Sequence, residues 1–143
     1  MFSKNSFRTV GWDRHLLPHV LSVGLDHKER VRAHIDAADL RGDEIRWIRP
    51  ARAEHIIAEL LQQARHRFDT GRFGSDVVLA VEDLPSLALE TSNSEAMWEL
   101  SHIGRLGSYV DMHLVCGAKS QRHCAVLPLS LRQVFTIAPA ERF

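Results

Sequence analysis

The chain has 143 residues, of which 45% are hydrophobic and 25% are charged, and this composition is typical of a single globular domain. Lysine plus arginine and aspartate plus glutamate number 18 each, so the net charge provides no overall attraction to nucleic acid. No apolar run approaches the ~20 residues that span a membrane, and the mixed polarity of the N-terminus differs from that of a signal peptide, so we expect a cytoplasmic protein without a membrane span.

The first part of the chain is predicted to contain an arm, two strands and a helix. Residues 1–18 have no clear periodicity and are expected to form an N-terminal arm before a single domain over residues 19–143. Residues 19–25 have the short apolar character of a strand, and the charged stretch of residues 25–40 is weakly helical. Residues 44–48, EIRWI, are the second strand candidate.

A longer amphipathic helix is predicted over residues 51–69, after Pro50, because proline suits the first turn of a helix. Gly71 and Gly74 are expected to end this helix. Its apolar stripe comprises Ile56, Ile57, Leu60, Leu61, Ala64 and Phe68. Three arginines lie near its beginning, namely Arg46, Arg49 and Arg52. They form either a local basic patch or the solvated beginning of the helix.

The clearest strand is DVVLAVEDL, residues 76–84. Its continuous apolar run indicates burial on both faces, as in a parallel sheet. Another helix is predicted over residues 92–106, because Ser92 and Glu95 have the spacing of a capping box. Its apolar stripe comprises Met97, Leu100 and Ile103.

Two further strands are predicted, over residues 112–118 and 134–139. The alternation of strands and helices predicts an α/β fold, a three-layer and mainly parallel sheet with helices on both faces. In such sheets, ligands bind beyond the carboxyl ends of the strands. Glu82, Asp83 and Lys119 follow predicted strands and are therefore the candidate site residues.

Glu82 and Asp83 have the residue type and position of the acids in a nucleoside triphosphatase. In such an enzyme one acid holds magnesium, usually through water, and a second acid orients the attacking water. The alternative is an ordinary buried strand that ends in a polar loop.

A phosphate-binding loop with the pattern GxxxxGK followed by Ser or Thr is absent from the sequence. The nearest stretch is CGAKS, residues 116–120, but Ala118 stands where the glycine before the lysine belongs. The GxSxG motif of serine hydrolases is absent as well.

Cys116 and Cys124 are the two cysteines, too few for a disulfide framework in a chain of this length. Together with His113 and His123 they form a candidate set of four zinc ligands. The spacing is unfavourable, because adjacent residues on an extended chain point in opposite directions.

Four segments in this order resemble the motor core of the FtsK/SpoIIIE family, which belongs to the FtsK–HerA group of RecA-like hexameric motors. LDHK, residues 25–28, resembles a strand that ends in Asp-x-Lys, and Arg65 and Arg67 resemble an arginine-bearing helix. VVLAVEDLPSL, residues 77–87, resembles the acid strand, and residues 103–120 resemble the Gly-Arg segment and the following strand. The resemblance implies an incomplete RecA-like, P-loop NTPase core.

The sequence departs from the family at three places. The acids of the Walker B-like motif are inverted, with Glu82 at the usual aspartate position, that of the magnesium ligand, and Asp83 at the usual glutamate position. The Thr-Gln of the family becomes Ala118-Lys119. The family's first strand, phosphate loop and following helix are expected to have no counterpart, because the residues before the first matched strand are fewer than the ~30 of a strand–helix–strand unit.

The resemblance implies catalytic roles for Glu82 and Asp83, phosphate contacts for Lys119 and Arg105, and ATP and magnesium as the cofactors of the family. Because of the departures, we expect no ATPase activity of the chain in isolation. A protein partner or a homo-oligomer is expected. DNA is expected as a partner only through a parent motor.

Three functions are open. The chain is a degenerate FtsK-like core that acts as a regulatory or assembly partner of a motor. Alternatively, it is a piece of an active DNA or protein translocase whose phosphate loop lies elsewhere, with Arg105 as a sensor of a neighbouring nucleotide. The third alternative is an unrelated small α/β binding domain. We favour the first, since the inverted acids and the lost polar sensor indicate relaxed catalytic demands.

Overall fold

The computed structural model of the chain describes residues 19–37, 44–91 and 94–138. The predicted arm over residues 1–18 and Ser92 of the predicted capping box lie outside the described residues. In the described part of the chain, every helix is too short or too polar to cross a membrane.

In the described part of the chain, five strands form one sheet. They are β1 (Val20–Val23), β2 (Glu44–Trp47), β3 (Val77–Val81), β4 (Met112–Ala118) and β5 (Thr136–Ala138). Their order in the sheet is β2-β3-β4-β1-β5, and each of these neighbours pairs in parallel. Parallel neighbours need crossover connections, and helices supply them here.

Among the residues that the structure describes, five helices connect the strands. They are α1 (His27–Ala37), α2 (Ala53–Thr70), α3 (Leu84–Glu90), α4 (Ser94–Val110) and α5 (Leu129–Arg132). Two 3₁₀ turns accompany them, Pro50–Arg52 before α2 and His123–Val126 before α5. The short helices α3 and α5 were not expected from the sequence. Gly71 ends α2 in the left-handed conformation, with φ of 69°, as predicted.

Both faces of β3 are buried, as its apolar run predicted. Val77, Leu79 and Val81 belong to the larger core, which also contains side chains of α2, α3, α4 and α5. Val78 and Ala80 belong to a smaller core beneath α1. The predicted three-layer α/β fold with helices on both faces of a parallel sheet is therefore confirmed.

The predicted apolar stripe of α2 is confirmed except at its end. Its inner side chains are the buried Ile57, Leu60, Leu61 and Ala64 and the half-buried Ile56. The prediction is wrong at Phe68, which is 54% exposed. Its ring makes an edge contact with the Tyr109 ring at a centroid separation of 6.3 Å. Arg67 points inward instead and donates to the Val110 and Ser75 carbonyls at 3.0 and 2.9 Å. Buried carbonyl oxygens need hydrogen-bond donors, and the arginine side chain supplies them whereas the phenylalanine side chain has none.

His19 joins β1 to the elements around it. Its Nε2 lies 2.6 Å from the Gly104 carbonyl of α4, and the Leu114 backbone N–H donates to its Nδ1 over 3.0 Å. A ring with one donor and one acceptor nitrogen is the neutral, Nε2-protonated tautomer. The buried side chain therefore fixes the beginning of β1 against α4 and β4.

Candidate functional site

The candidate site lies at the edge of the sheet where β1, β3 and β4 have their carboxyl ends. Val23 pairs with Ala118, and Val81 pairs with Cys116. Glu82 and Lys119, one residue beyond β3 and β4, therefore follow neighbouring strands at the same edge. This edge is where ligands of parallel α/β sheets bind.

Glu82 forms an ion pair with Arg32 of α1. The Arg32 Nε donates to Glu82 Oε2 over 3.0 Å, and the Nη2 of the same guanidinium donates to the same oxygen. The Arg32 side chain is 63% exposed and that of Glu82 is 23% exposed. A guanidinium thus contacts the carboxylate that directly follows β3.

Asp83 has two structural contacts. Its Oδ1 accepts the Ser86 backbone N–H over 3.1 Å, so Asp83 is the N-cap of α3. Its Oδ2 lies 3.3 Å from His27 Nε2, and His27 Nδ1 lies 2.9 Å from the Gly24 carbonyl. Both ring nitrogens of His27 therefore lie close to oxygen atoms, one of the backbone and one of Asp83.

The connection from β1 to α1 has the order of a phosphate-binding unit, which is a strand, a loop and a helix. It consists of Gly24, Leu25 and Asp26. The chain turns into the helix at once, because the His27 N–H donates to the Gly24 carbonyl over 3.1 Å. Both elements agree with the sequence-based predictions, namely the strand candidate over residues 19–25 and the weakly helical stretch of residues 25–40. The turn itself has neither the length nor the Gly-Lys pair of a phosphate loop.

Helix α1 packs closely on the end of β4. A Cβ added at Gly117 would lie 3.1 Å from a Val31 methyl and 3.2 Å from the His27 Cβ, and it would overlap the Glu82 carbonyl. The space between the helix and the strand end is therefore filled by protein atoms.

Lys119 and Arg105 lie in different parts of the molecule. Lys119 is exposed directly after β4, at the edge of the acids. Arg105 is exposed on α4, next to Gly104, whose carbonyl contacts His19 before the beginning of β1. The structure therefore brings Lys119, but not Arg105, to the edge of Glu82 and Asp83.

The arginines near β2 are divided among separate partners rather than gathered in one patch. Arg46 contacts Glu44 and Glu59 at 3.2 and 3.1 Å, and the hydrogen bond to Glu59 raises its pKa. The Arg49 guanidinium lies 6.0 Å from the Trp47 ring. These contacts agree with the solvated beginning of a helix, the second of the two interpretations of this cluster.

A cleft of about 210 Å³ opens beside the acids. It is lined by Lys28, Trp47, Ile48, Arg49, Pro50, Val81, Glu82, Asp83, Ser86, Leu87 and Glu90. Its volume is below the ~300–1,000 Å³ of typical ligand pockets.

The four residues of the zinc set do not converge. Cys116 lies in the larger core, where burial raises the pKa of its thiol. His113 is three residues away on the same strand, so its side chain points to the other face. His123 is exposed and contacts Ser120 Oγ at 2.6 Å.

The residues at this edge do not fit an ATP and magnesium site of the kind that includes a phosphate loop. Arg32 occupies Glu82, Asp83 caps α3, and the three-residue turn before α1 replaces the phosphate loop. A cation and a guanidinium would compete for the same carboxylate oxygen.

Comparison with known proteins supports the fold. No protein-family profile matches the chain, and no curated protein matches its sequence. One similar structure contains ATPases 2 and 3 of Thermomonospora curvata EccC in complex with a signal sequence peptide, with a TM-score of 0.67 at 15% identity over 85% of this chain and 29% of that chain. Another is the cytoplasmic domain of the T. curvata type VII secretion ATPase EccC, with a TM-score of 0.68 at 14% identity over 85% of this chain and 18% of that chain.

The chain therefore has the fold of an EccC ATPase domain. It spans less than a third of the length of either similar structure.

Proposed function

We propose that the chain is an ATPase-fold domain without ATP turnover, which acts as a regulatory or assembly partner of a motor of the same fold. One observation carries this proposal, namely that side chains of α1 occupy both acids of the strand end. Arg32 pairs with Glu82, and His27 contacts Asp83.

The contacts of Asp83 explain why the inverted acids are tolerated. An aspartate carboxylate is short enough to cap the helix that begins one residue later, and Asp is among the preferred N-cap residues. Catalytic groups must be held within about 0.5 Å of their productive geometry. A carboxylate held by Ser86 N–H and His27 is fixed to the fold rather than directed at a water.

A steady-state assay of phosphate release from ATP and magnesium tests this proposal. The parent chain is compared with Glu82→Gln and Asp83→Asn, which remove the charges, while Asn keeps the ability to cap α3. We expect the same background rate for all three proteins. Turnover by the parent chain that disappears in both variants would establish the alternative, an active piece of a translocase.

The proposed partner is a protein. The EccC structure similar to this chain was solved with a signal sequence peptide, which supports protein rather than DNA as the binding partner. Cross-linking of the chain in its native cells, followed by mass spectrometry, is expected to yield links to an ATPase that has an intact phosphate loop. Links confined to residues within the chain would contradict a role as a partner.

A further inference from the structure

Three metal-ligating side chains meet at the opposite edge of the sheet, where β3 and β4 begin. Asp76 precedes β3, Asp111 precedes β4, and His113 is the second residue of β4. The pairing of Val78 with His113 makes these strand beginnings neighbours. One donor atom of each side chain lies within 4.8 Å of those of the other two.

The burial of these side chains differs in a way that suits a bound ion. The side chain of His113 is 1% exposed and that of Asp76 is 11% exposed, whereas Asp111 is exposed at the rim. Two ligands are therefore buried within the fold, and the third lies at the surface.

The distance between the two fixed ligands agrees with a shared ion. His113 Nε2 lies 3.8 Å from Asp76 Oδ2, which is too long for a direct hydrogen bond between these two atoms. Ligand atoms about 2.0–2.2 Å from a tetrahedral zinc ion lie roughly 3.3–3.6 Å from each other. A small adjustment converts the observed separation into that of two ligands on one ion.

The charges around the set favour a cation. Arg67 donates to the Ser75 and Val110 carbonyls, the residues directly before Asp76 and Asp111. Its single positive charge is opposed by two carboxylates, so the local charge remains negative when both are ionised. A neutral imidazole adds a ligand without adding charge.

We propose that Asp76, Asp111 and His113 bind a divalent transition-metal ion of the zinc or manganese type. One imidazole and two carboxylates form a mixed nitrogen and oxygen set, and imidazole favours such ions over magnesium and calcium, which prefer oxygen alone. The site is separate from Glu82 and Asp83, at the other end of the strands, and does not depend on the proposed lack of ATP turnover. An ion there joins the beginnings of β3 and β4.

Titration calorimetry of the metal-free, full-length chain with zinc chloride tests this proposal, with magnesium chloride as the comparison ion. Asp111→Asn removes the exposed ligand and is expected to leave the fold intact, while Asp69→Asn is a matched control, because Asp69 is an exposed aspartate at the end of α2. We expect one zinc equivalent that binds at least tenfold more weakly to Asp111→Asn and equally well to Asp69→Asn.

A second measurement separates this site from surface histidines. Cobalt substituted for zinc gives a visible absorption band that reports its ligands, and His113→Gln is expected to abolish the band of the parent chain. The proposal is wrong if zinc binds Asp111→Asn as tightly as the parent chain, or if zinc fails to bind the parent chain. A cobalt band unchanged in His113→Gln would also contradict it.

Discussion

The carboxylate of Asp83 accepts the Ser86 N–H at the beginning of α3 and lies 3.3 Å from the His27 ring. Glu82, its neighbour in sequence, instead pairs with the largely exposed Arg32. Exposed ion pairs contribute about 0–1 kcal/mol to stability, whereas N-caps and buried, charged hydrogen bonds contribute more. At the scale of single residues, the two acids therefore have unequal structural importance.

Alanine substitutions of the two acids are expected to differ in their effect on stability. Asp83→Ala removes the cap of α3 and the partner of a buried histidine, and we expect it to lower the free energy of unfolding by about 2 kcal/mol. Glu82→Ala is expected to lower it by less than about 1 kcal/mol. Urea denaturation followed by circular dichroism measures both, and equal midpoints for the two variants would contradict the assigned roles.

His34 of α1 makes stability depend on pH. Burial, followed by the charge of Arg30, lowers the pKa of His34 in the folded chain below its usual 6.5. The unfolded chain therefore binds this proton more readily, and the folded chain loses stability as the pH falls below about 6.5. Above that pH the contribution of His34 is constant.

A substitution isolates the contribution of His34. We expect His34→Gln to reduce the loss of stability between about pH 6.5 and pH 5, with urea midpoints as the measure. His66→Gln is a matched control, since His66 is exposed on α2. Parallel pH profiles of the parent chain and His34→Gln would show that burial of this ring does not drive the acid sensitivity.

At the scale of elements, the sequence predicted the five strands and the three longer helices. Long, periodic patterns produced these predictions, such as the apolar stripe of α2. Helices α3 and α5 were missed, because seven and four residues are too few to show a helical period. The Asp83 cap and Pro85 in the first turn of α3 were the available signals.

Turns limited the prediction as well. Leu25 and Asp26 were interpreted as the end of a strand, but they form the turn into α1. Phe68 was assigned to the core, but it is exposed and the adjacent Arg67 is buried instead. Such ends depend on tertiary contacts that a local pattern does not contain.

His19 is expected to be the main connection of β1 to α4 and β4 at the amino edge. His19→Ala leaves the Gly104 carbonyl and the Leu114 N–H without this partner, and we expect a loss of about 2–4 kcal/mol in the free energy of unfolding. His55→Ala is the control, because its side chain is 69% exposed and the change is expected to stay within about 0.5 kcal/mol. Similar urea midpoints for both variants would contradict the role of His19.

At the scale of the whole molecule, the edge that carries the candidate site was predictable but its contacts were not. The acid strand and its carboxyl end followed from the apolar run of β3. The pairs that occupy the acids join residues 50 and 56 positions apart. A single sequence contains no signal for such contacts, and the weakly helical charge pattern of α1 did not indicate which face meets β3.

The chain shares the fold of EccC ATPase domains, and the packing of α1 determines the contacts of the acids at the end of β3. In the strand order, β1 lies in the interior of the sheet, directly beside β4. The strand–turn–helix unit therefore stands at the carboxyl edge with the acids, and the side chains of its helix reach them. The whole molecule thus has the fold of an ATPase domain, and both acids at the end of β3 contact side chains of α1.

Calorimetric titration of the chain with ATP and magnesium is the most direct test of this account. Because Arg32 and His27 occupy the acids and the turn before α1 lacks a phosphate loop, we expect no saturable binding up to about 1 mM ATP, the upper end of common enzyme Michaelis constants. Saturable binding in that range, abolished by Glu82→Ala and weakened by Lys119→Ala, would contradict it.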